Sequence, residues 1–140
     1  MEIRSEVQMV LTNRMEELSV LAEKVQKLAE VWDLSESQAM NLNLVMEEAV
    51  SNIIMYAFDS RENQNITVLI RFEPALLSIR ISDEGKPFDP TAQHEPDIAL
   101  PAEERPIGGL GIFLISKIMD SVQYSRQGNM NVLTLNKNLI

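Results

Sequence analysis

Apolar residues recur at intervals of three and four from Asn13 onward. Met15, Leu18, Leu21, Ala22, Val25, Leu28, Ala29 and Trp32 form one stripe, the spacing of a helix with a single face on a core. Asn13 and Glu16, three apart, have the form of a capping pair at its start, and Asp33-Leu34-Ser35 ends it. Ser35 with Gln38 opens a second helix, whose buried side takes Ala39, Leu42, Val45, Met46, Ala49, Ile53 and Ala57. The residues ahead of Asn13 read as a short extended start. Residues Asp59 to Gln64 contain no apolar side chain and several turn formers, so they close the second helix.

After that turn the period changes to two. Ile66, Val68, Ile70 and Phe72 alternate with Thr67, Leu69 and Arg71, and Leu77, Ile79 and Ile81 alternate with Ser78, Arg80 and Ser82, the pattern of two strands joined through Glu73-Pro74-Ala75. The pattern then disappears between Asp83 and Gly111. It returns as a helical period at Ile112, Leu114, Ile115, Ile118 and Met119, followed by a second hairpin turning at Gln127-Gly128-Asn129. This order predicts an α+β fold: a two-layer sandwich of a mixed, largely antiparallel sheet with helices packed on one face.

Composition narrows the class. The 140 residues suit one domain, 1–140, and a chain of this size buries roughly 68% of its unfolded surface. Twelve basic against 21 acidic residues leave a net charge of -9, which argues against nucleic acid or an anionic membrane surface as partner. With no cysteine there is no disulfide framework, thiolate nucleophile or cysteine metal site. No apolar run approaches the roughly 18 residues that cross a bilayer, so the expectation is a soluble, cytoplasmic protein. The eight methionines, among them Met40, Met46 and Met119, read as core fillers.

Glycine and proline are concentrated where the periodicity fails. Gly85, Gly108, Gly109 and Gly111 bracket the interval, and Pro87, Pro90, Pro96, Pro101 and Pro106 lie inside it, so this stretch becomes neither helix nor central strand. Loops of such length in compact domains are lids or disordered segments. At its near end Asp83-Glu84-Gly85 follows a strand; alone it is an ordinary turn, and with a flat ligand the acid accepts from an amino group while the glycine allows close approach. At its far end Gly108-Gly109-Leu110-Gly111 leads into a helix whose amides and dipole suit phosphate oxygens, without the lysine of a P-loop. On the second helix Glu48 and Asn52 are stacked four apart, with Glu47 and Ser51 in a parallel row, so spacing leaves open which acid matters. His94, the single histidine, falls among Gln93, Glu95 and Pro96 and reads as a solvated loop residue.

Glu-Glu-Ala-Val-Ser-Asn at 47–52, Asp-Glu-Gly-Lys-Pro-Phe at 83–88 and Gly-Gly-Leu-Gly at 108–111 resemble, in that order, the asparagine box and two glycine boxes of one superfamily. It is the ATP-binding fold of gyrase B, the large heat-shock chaperone, histidine kinases and the MutL ATPase. Within it the chain most resembles the bacterial anti-sigma factor serine/threonine kinases of the switch-protein type. The resemblance implies ATP and Mg2+ as cofactors. Asn52 would then hold the metal, and Glu48 would orient or deprotonate the attacking hydroxyl. Asp83 would accept from the adenine amino group, with Gly85 and Phe88 beside it. Gly108, Gly109, Leu110 and Gly111 would meet the phosphates, Lys86 and Arg105 would be the cations nearest them, and residues 89–107 would be the lid. The chain departs from the family at Tyr56, where many relatives carry histidine, and at the threonine near adenine, replaced by Asn131 or displaced to Thr134.

The function so implied is an ATP-dependent protein serine kinase that phosphorylates an anti-sigma factor antagonist and sequesters a sigma factor, as a homodimer. The competing expectation is a module that binds nucleotide without using it and acts by sequestering a partner. A detached histidine-kinase catalytic domain is a third, disfavoured because no preceding helix carries a phosphoacceptor histidine.

Overall fold

The computed structural model describes residues 5–59, 63–92 and 109–139. Strand β1 spans Ser5–Thr12, helices α1 and α2 span Glu17–Val31 and Glu36–Tyr56, and strands β2 and β3 span Asn65–Glu73 and Leu76–Asp83. A 3-10 turn at Pro90–Ala92 precedes helix α3, Gly109–Ile118, and strands β4, Ser121–Gln127, and β5, Met130–Asn138. The five strands form one sheet in the order β1-β2-β3-β5-β4. All four pairings are antiparallel, so the sheet has none of the parallel pairing that a mixed sheet would contain. Two of the four pairings follow from hairpin connections: the β2–β3 and β4–β5 turns each take two residues, too few for a parallel crossover.

Alternation decides which face is covered. Ile66, Val68 and Ile70 of β2, Leu77, Ile79 and Ile81 of β3, and Leu133 and Leu135 of β5 are buried with Leu21 and Val25 of α1, Leu42, Val45, Met46, Ala49 and Ile53 of α2, and Ile112 and Ile115 of α3. The polar partners of these strand residues, among them Ser78, Arg80, Ser82 and Thr134, take the opposite face, as a period of two requires. Trp32, at the end of α1, stacks on Phe72 of β2 with ring centroids 4.9 Å apart and planes 7° from parallel, fixing α1 to the far end of the sheet.

The ends of the helices follow local chemistry. Ser35 and Gln38 form a reciprocal capping box on α2, as the spacing predicts. Asn13 and Glu16 do not cap α1. Asn13 Oδ1 instead accepts from the Gln64 N–H at 3.0 Å, and the Asn13 N–H donates to the Gln64 carbonyl at 3.0 Å, extending the β1–β2 ladder by one step. Helix α1 ends with Asp33 in the left-handed region at φ 52°, where Leu34 N–H reaches the Ala29 carbonyl and Asp33 N–H the Glu30 carbonyl. Two methionines expected in the core are outside it. Met15 is 49% exposed because α1 begins after it, and Met40 is 65% exposed on the solvent side of α2, while Met46 and Met119 are buried.

Candidate functional site

Among the described residues the three buried polar ones, Asn52, Asp83 and Asn131, belong to one end of the structure. Asn52 is on α2, and Asp83 and Asn131 face each other at the paired ends of β3 and β5. They line a common cavity with Ala49, Ile53, Phe88, Pro90, Ile112 and Tyr124. Buried polar side chains are costly unless hydrogen-bonded, so such a cluster marks a site with a purpose other than packing.

Asp83 is held from one side only. Its Oδ1 accepts from the Gly85 N–H at 2.8 Å, an Asx turn, and from Asn131 Nδ2 at 3.0 Å. Its Oδ2 is buried and has no partner among the described residues. Burial pushes the carboxyl above its ordinary value, against the lowering pull of Asn131, the Gly85 amide and the Arg126 charge. A buried acceptor left open on the wall of a cavity is what a ligand amino group would complete. Gly85 has to be glycine for want of space: a Cβ there would lie 2.4 Å from the Ala57 carbonyl oxygen. That carbonyl, at the end of α2, accepts from the Lys86 N–H at 2.8 Å.

The second half of the site lies where α2 meets α3. A Cβ on Gly111 would be 2.6 Å from Glu48 Oε2 and 3.2 Å from Asn52 Nδ2, so the backbone at the start of α3 sits directly on both side chains. Glu48, not Glu47, is the acid turned inward: Glu47 is exposed, and Glu48 is half-buried with its carboxyl raised by burial first and by the Glu47 charge second. The Glu48 carbonyl also accepts from the Ser51 hydroxyl.

Other residues expected at the site fall as follows. Lys86 extends its ammonium to Asp59 Oδ1 at 2.7 Å, an exposed pair. Phe88 lines the cavity, its ring tilted 38° against Tyr56 at 5.6 Å, and the Tyr56 hydroxyl is buried without a partner among the described residues. Gly109 and Leu110 form the first turn of α3. Gly108, Arg105, His94 and residues 93–107 of the lid lie outside the described residues. Of the two candidates for the missing threonine, Asn131 faces the cavity and Thr134 lies on the opposite face of the sheet. Reasoning from the sequence missed Tyr124 and Arg126 of β4: the Tyr124 hydroxyl bonds Asn131 Oδ1, and Arg126 Nη1 donates to the Gly85 carbonyl at 2.8 Å. Their alternation in β4 was legible, but only pairing with β5 places them beside Asp83.

The cavity itself is narrow, about 10 Å3, near the size of one water and far below the roughly 300 Å3 of a small-molecule pocket. Phe88, Pro90 and Tyr124 are among the residues that line it.

An antiparallel sheet with three helices on one face, an acid and a glycine after its third strand, and a glycine-started helix set against a Glu–Asn row define a nucleotide-binding α+β domain. The chain belongs to the histidine kinase-like ATPase domain family, whose model matches residues 11–137. It is similar to the serine-protein kinase RsbW of Listeria monocytogenes serovar 1/2a, with 35% identity over 99 residues, 67% of this chain and 63% of that protein. The serine/threonine-protein kinase BtrW of Bordetella bronchiseptica is 32% identical over 94 residues, 67% of this chain and 66% of that protein. RsbW of Bacillus cereus strain G9842 is 25% identical over 137 residues, 95% of this chain and 85% of that protein. The matched stretch thus spans somewhat under two thirds of the Listeria relative's length. The fold is also that of the histidine kinase domain of the Erythrobacter litoralis EL346 blue-light activated histidine kinase, at a TM-score of 0.52 and 14% identity over 89% of this chain and 60% of that one. No helix among the described residues is long and apolar enough to cross a membrane.

Proposed function

We propose that this chain is an ATP-dependent protein serine kinase acting as a cytoplasmic anti-sigma factor. It transfers phosphate to a seryl hydroxyl of an anti-sigma factor antagonist, sequesters a sigma factor, and works as a homodimer. The observation that carries the reading is the contact of Gly111 with both Glu48 and Asn52, opposite the open oxygen of Asp83.

Adenine is recognised by its 6-amino group donating to Asp83 Oδ2. The triphosphate runs toward the first turn of α3, where the N–H groups of Gly109, Leu110 and Gly111 and the helix dipole favour its charge. Asn52, buried beside the first turn of α3, is the residue that would hold Mg2+ through its amide oxygen, and the ion would supply neutralisation of phosphate charge. Glu48 orients the seryl hydroxyl and takes its proton. The seryl oxygen forms a bond to the γ-phosphorus as the bond to the β,γ-bridging oxygen breaks, and ADP leaves. The raised carboxyl of Glu48 favours that transfer, since a base poised closer to neutrality shares the proton more readily.

The competing reading is that nucleotide is held without turnover and the protein acts by sequestration alone. One experiment separates the two. The protein is incubated with Mg-ATP and an antagonist encoded beside it, and label transfer and nucleotide affinity are both measured. Glu48→Gln should reduce transfer at least about a hundredfold and leave affinity within about threefold. Binding without transfer in the unaltered protein selects the sequestering module, and transfer unaffected by the substitution removes Glu48 from its role.

A further inference from the structure

A second cavity, of about 240 Å3, lies where the start of α2, the end of α3 and the paired ends of β3 and β5 meet. It is remote from Asp83: Leu77 on its wall is six residues back along β3, about 20 Å at strand spacing. Leu42, Leu77 and Met119 are buried there, and Leu34, Ile118 and Leu139 pack against the same core. Main-chain bonds fix the walls. The Asp120 N–H donates to the Asn136 carbonyl at 2.8 Å and ties the end of α3 to β5, and the Leu139 N–H donates to the Ala75 carbonyl at 3.0 Å and ties the end of β5 to the β2–β3 turn. The capping box holds Gln38 at the third side. The space is thus preformed, largely apolar and close to the lower bound of roughly 300 Å3 for a ligand pocket.

Its polar residues share one character. They are Lys137 and the amides of Gln38, Asn41 and Asn138, with no acid among them in a chain that carries 21. Lys137 follows Leu133 and Leu135 at the period of two on the helix-covered side of β5, opposite Leu77, where the pattern calls for another apolar residue. Among the described residues its ammonium makes no ion pair, and Asp120 accepts from the Asn138 N–H instead. We propose that this cavity binds a small aliphatic carboxylate, its chain against the leucines and Met119 and its head on Lys137 and the neighbouring amides. A neutral alkyl ligand would leave the cation without a partner, and a phosphate would leave the apolar wall without one, whereas an aliphatic acid satisfies both. The volume holds about eight groups of water size at roughly 30 Å3 each, which sets the ligand at about six carbons with its carboxylate. The proposal does not depend on the nucleotide reading.

The test titrates the full chain with hexanoate and with 1-hexanol, following the methyl resonances of Met119 and Leu77 by NMR. Both ligands should shift these resonances saturably, and hexanoate should bind about tenfold more tightly, the contribution of a charge-assisted hydrogen bond. Lys137→Met keeps an unbranched apolar stem without the charge. It should bring hexanoate to the level of hexanol while hexanol affinity changes less than about threefold, and Lys137→Gln provides a second variant if the methionine variant fails to fold. Absence of saturable hexanoate binding at about 10 mM would overturn the proposal. Equal affinity of acid and alcohol in the unaltered protein, shifts confined to residues away from the cavity, or a preference that survives loss of the Lys137 charge would each overturn it as well.

Discussion

Gly85 and Gly111 press on the same helix from opposite sides of the site, and α2 receives them with different atoms. Gly85 meets main chain: a Cβ there would lie 2.4 Å from the Ala57 carbonyl oxygen and 2.9 Å from both its carbonyl carbon and its Cβ. Gly111 meets side chains, Glu48 and Asn52. Backbone at a helix end cannot retreat without unmaking the Lys86 bond to Ala57, whereas the tip of a glutamate can rotate aside. One glycine therefore protects the fold and the other protects the chemistry. A motif that shows both only as glycine hides this distinction.

The largest expected effect tests the second half of the comparison. Gly111→Ala adds a methyl inside α3, where alanine is favoured over glycine by about 1 kcal/mol. Thermal stability should stay level or rise. The displaced Glu48 carboxylate should nonetheless lower phosphoryl transfer by about a hundredfold, about 2.7 kcal/mol in the barrier, since misplacement of about 1 Å costs on that order. Transfer retained at full rate would show that the contact with Glu48 is incidental. Gly85→Ala comes next and should act through stability: overpacking against backbone costs about 2 kcal/mol, read as a lower denaturation midpoint. A stability loss at Gly111 larger than that at Gly85 would reverse the comparison.

Much of this was legible before any coordinates, and the rest was not, for identifiable reasons. Local periodicity gave both hairpins, all three helices and the Ser35–Gln38 box, because these depend on residues a few positions apart. The Asn13–Glu16 pair has the spacing of a cap, but Asn13 finds Gln64, 51 residues on, and a ladder bond with a distant strand outcompetes a local one. Met15 and Met40 were misplaced because hydrophobicity says that a side chain would gain from burial and not that the helix turns it inward. At the site, the order of the motifs brought Glu48, Asn52, Asp83 and Gly111 into view. Spacing left Glu47 and Glu48 equivalent until α3 was seen to sit on one of them. Tyr124 and Arg126 showed their strand but not their place at the site, which exists only through pairing of β4 with β5.

A change in stability away from both glycines sharpens the contrast further. Ser35→Ala removes the hydroxyl that accepts from the Gln38 N–H at the start of α2, at the end remote from the site. It should cost about 1 kcal/mol in chemical denaturation. Transfer per folded molecule should be unaltered, so the loss expected for Gly111→Ala could not be ascribed to a weaker α2. A parallel fall in transfer for Ser35→Ala would remove that separation.

The smallest effect is spread over pH and belongs to the Gly85 side. Asp83 is held above its ordinary 3.8 chiefly by burial, so the folded protein keeps a proton there that the unfolded chain has released. Its contribution to stability is complete below that value and is lost as pH rises through the raised folded value. Asp83→Asn has no such loss, and Glu48, also raised, is common to both proteins and cancels in the difference. The unfolding free energy of the asparagine variant relative to the unaltered protein should therefore climb between pH 3.5 and neutrality, measured by denaturant titration without nucleotide. The opposite slope would mean that the Gly85 amide, Asn131 and Arg126 outweigh burial. Asp83 would then be a carboxylate stabilised by its own loop, with no need of a ligand to complete it.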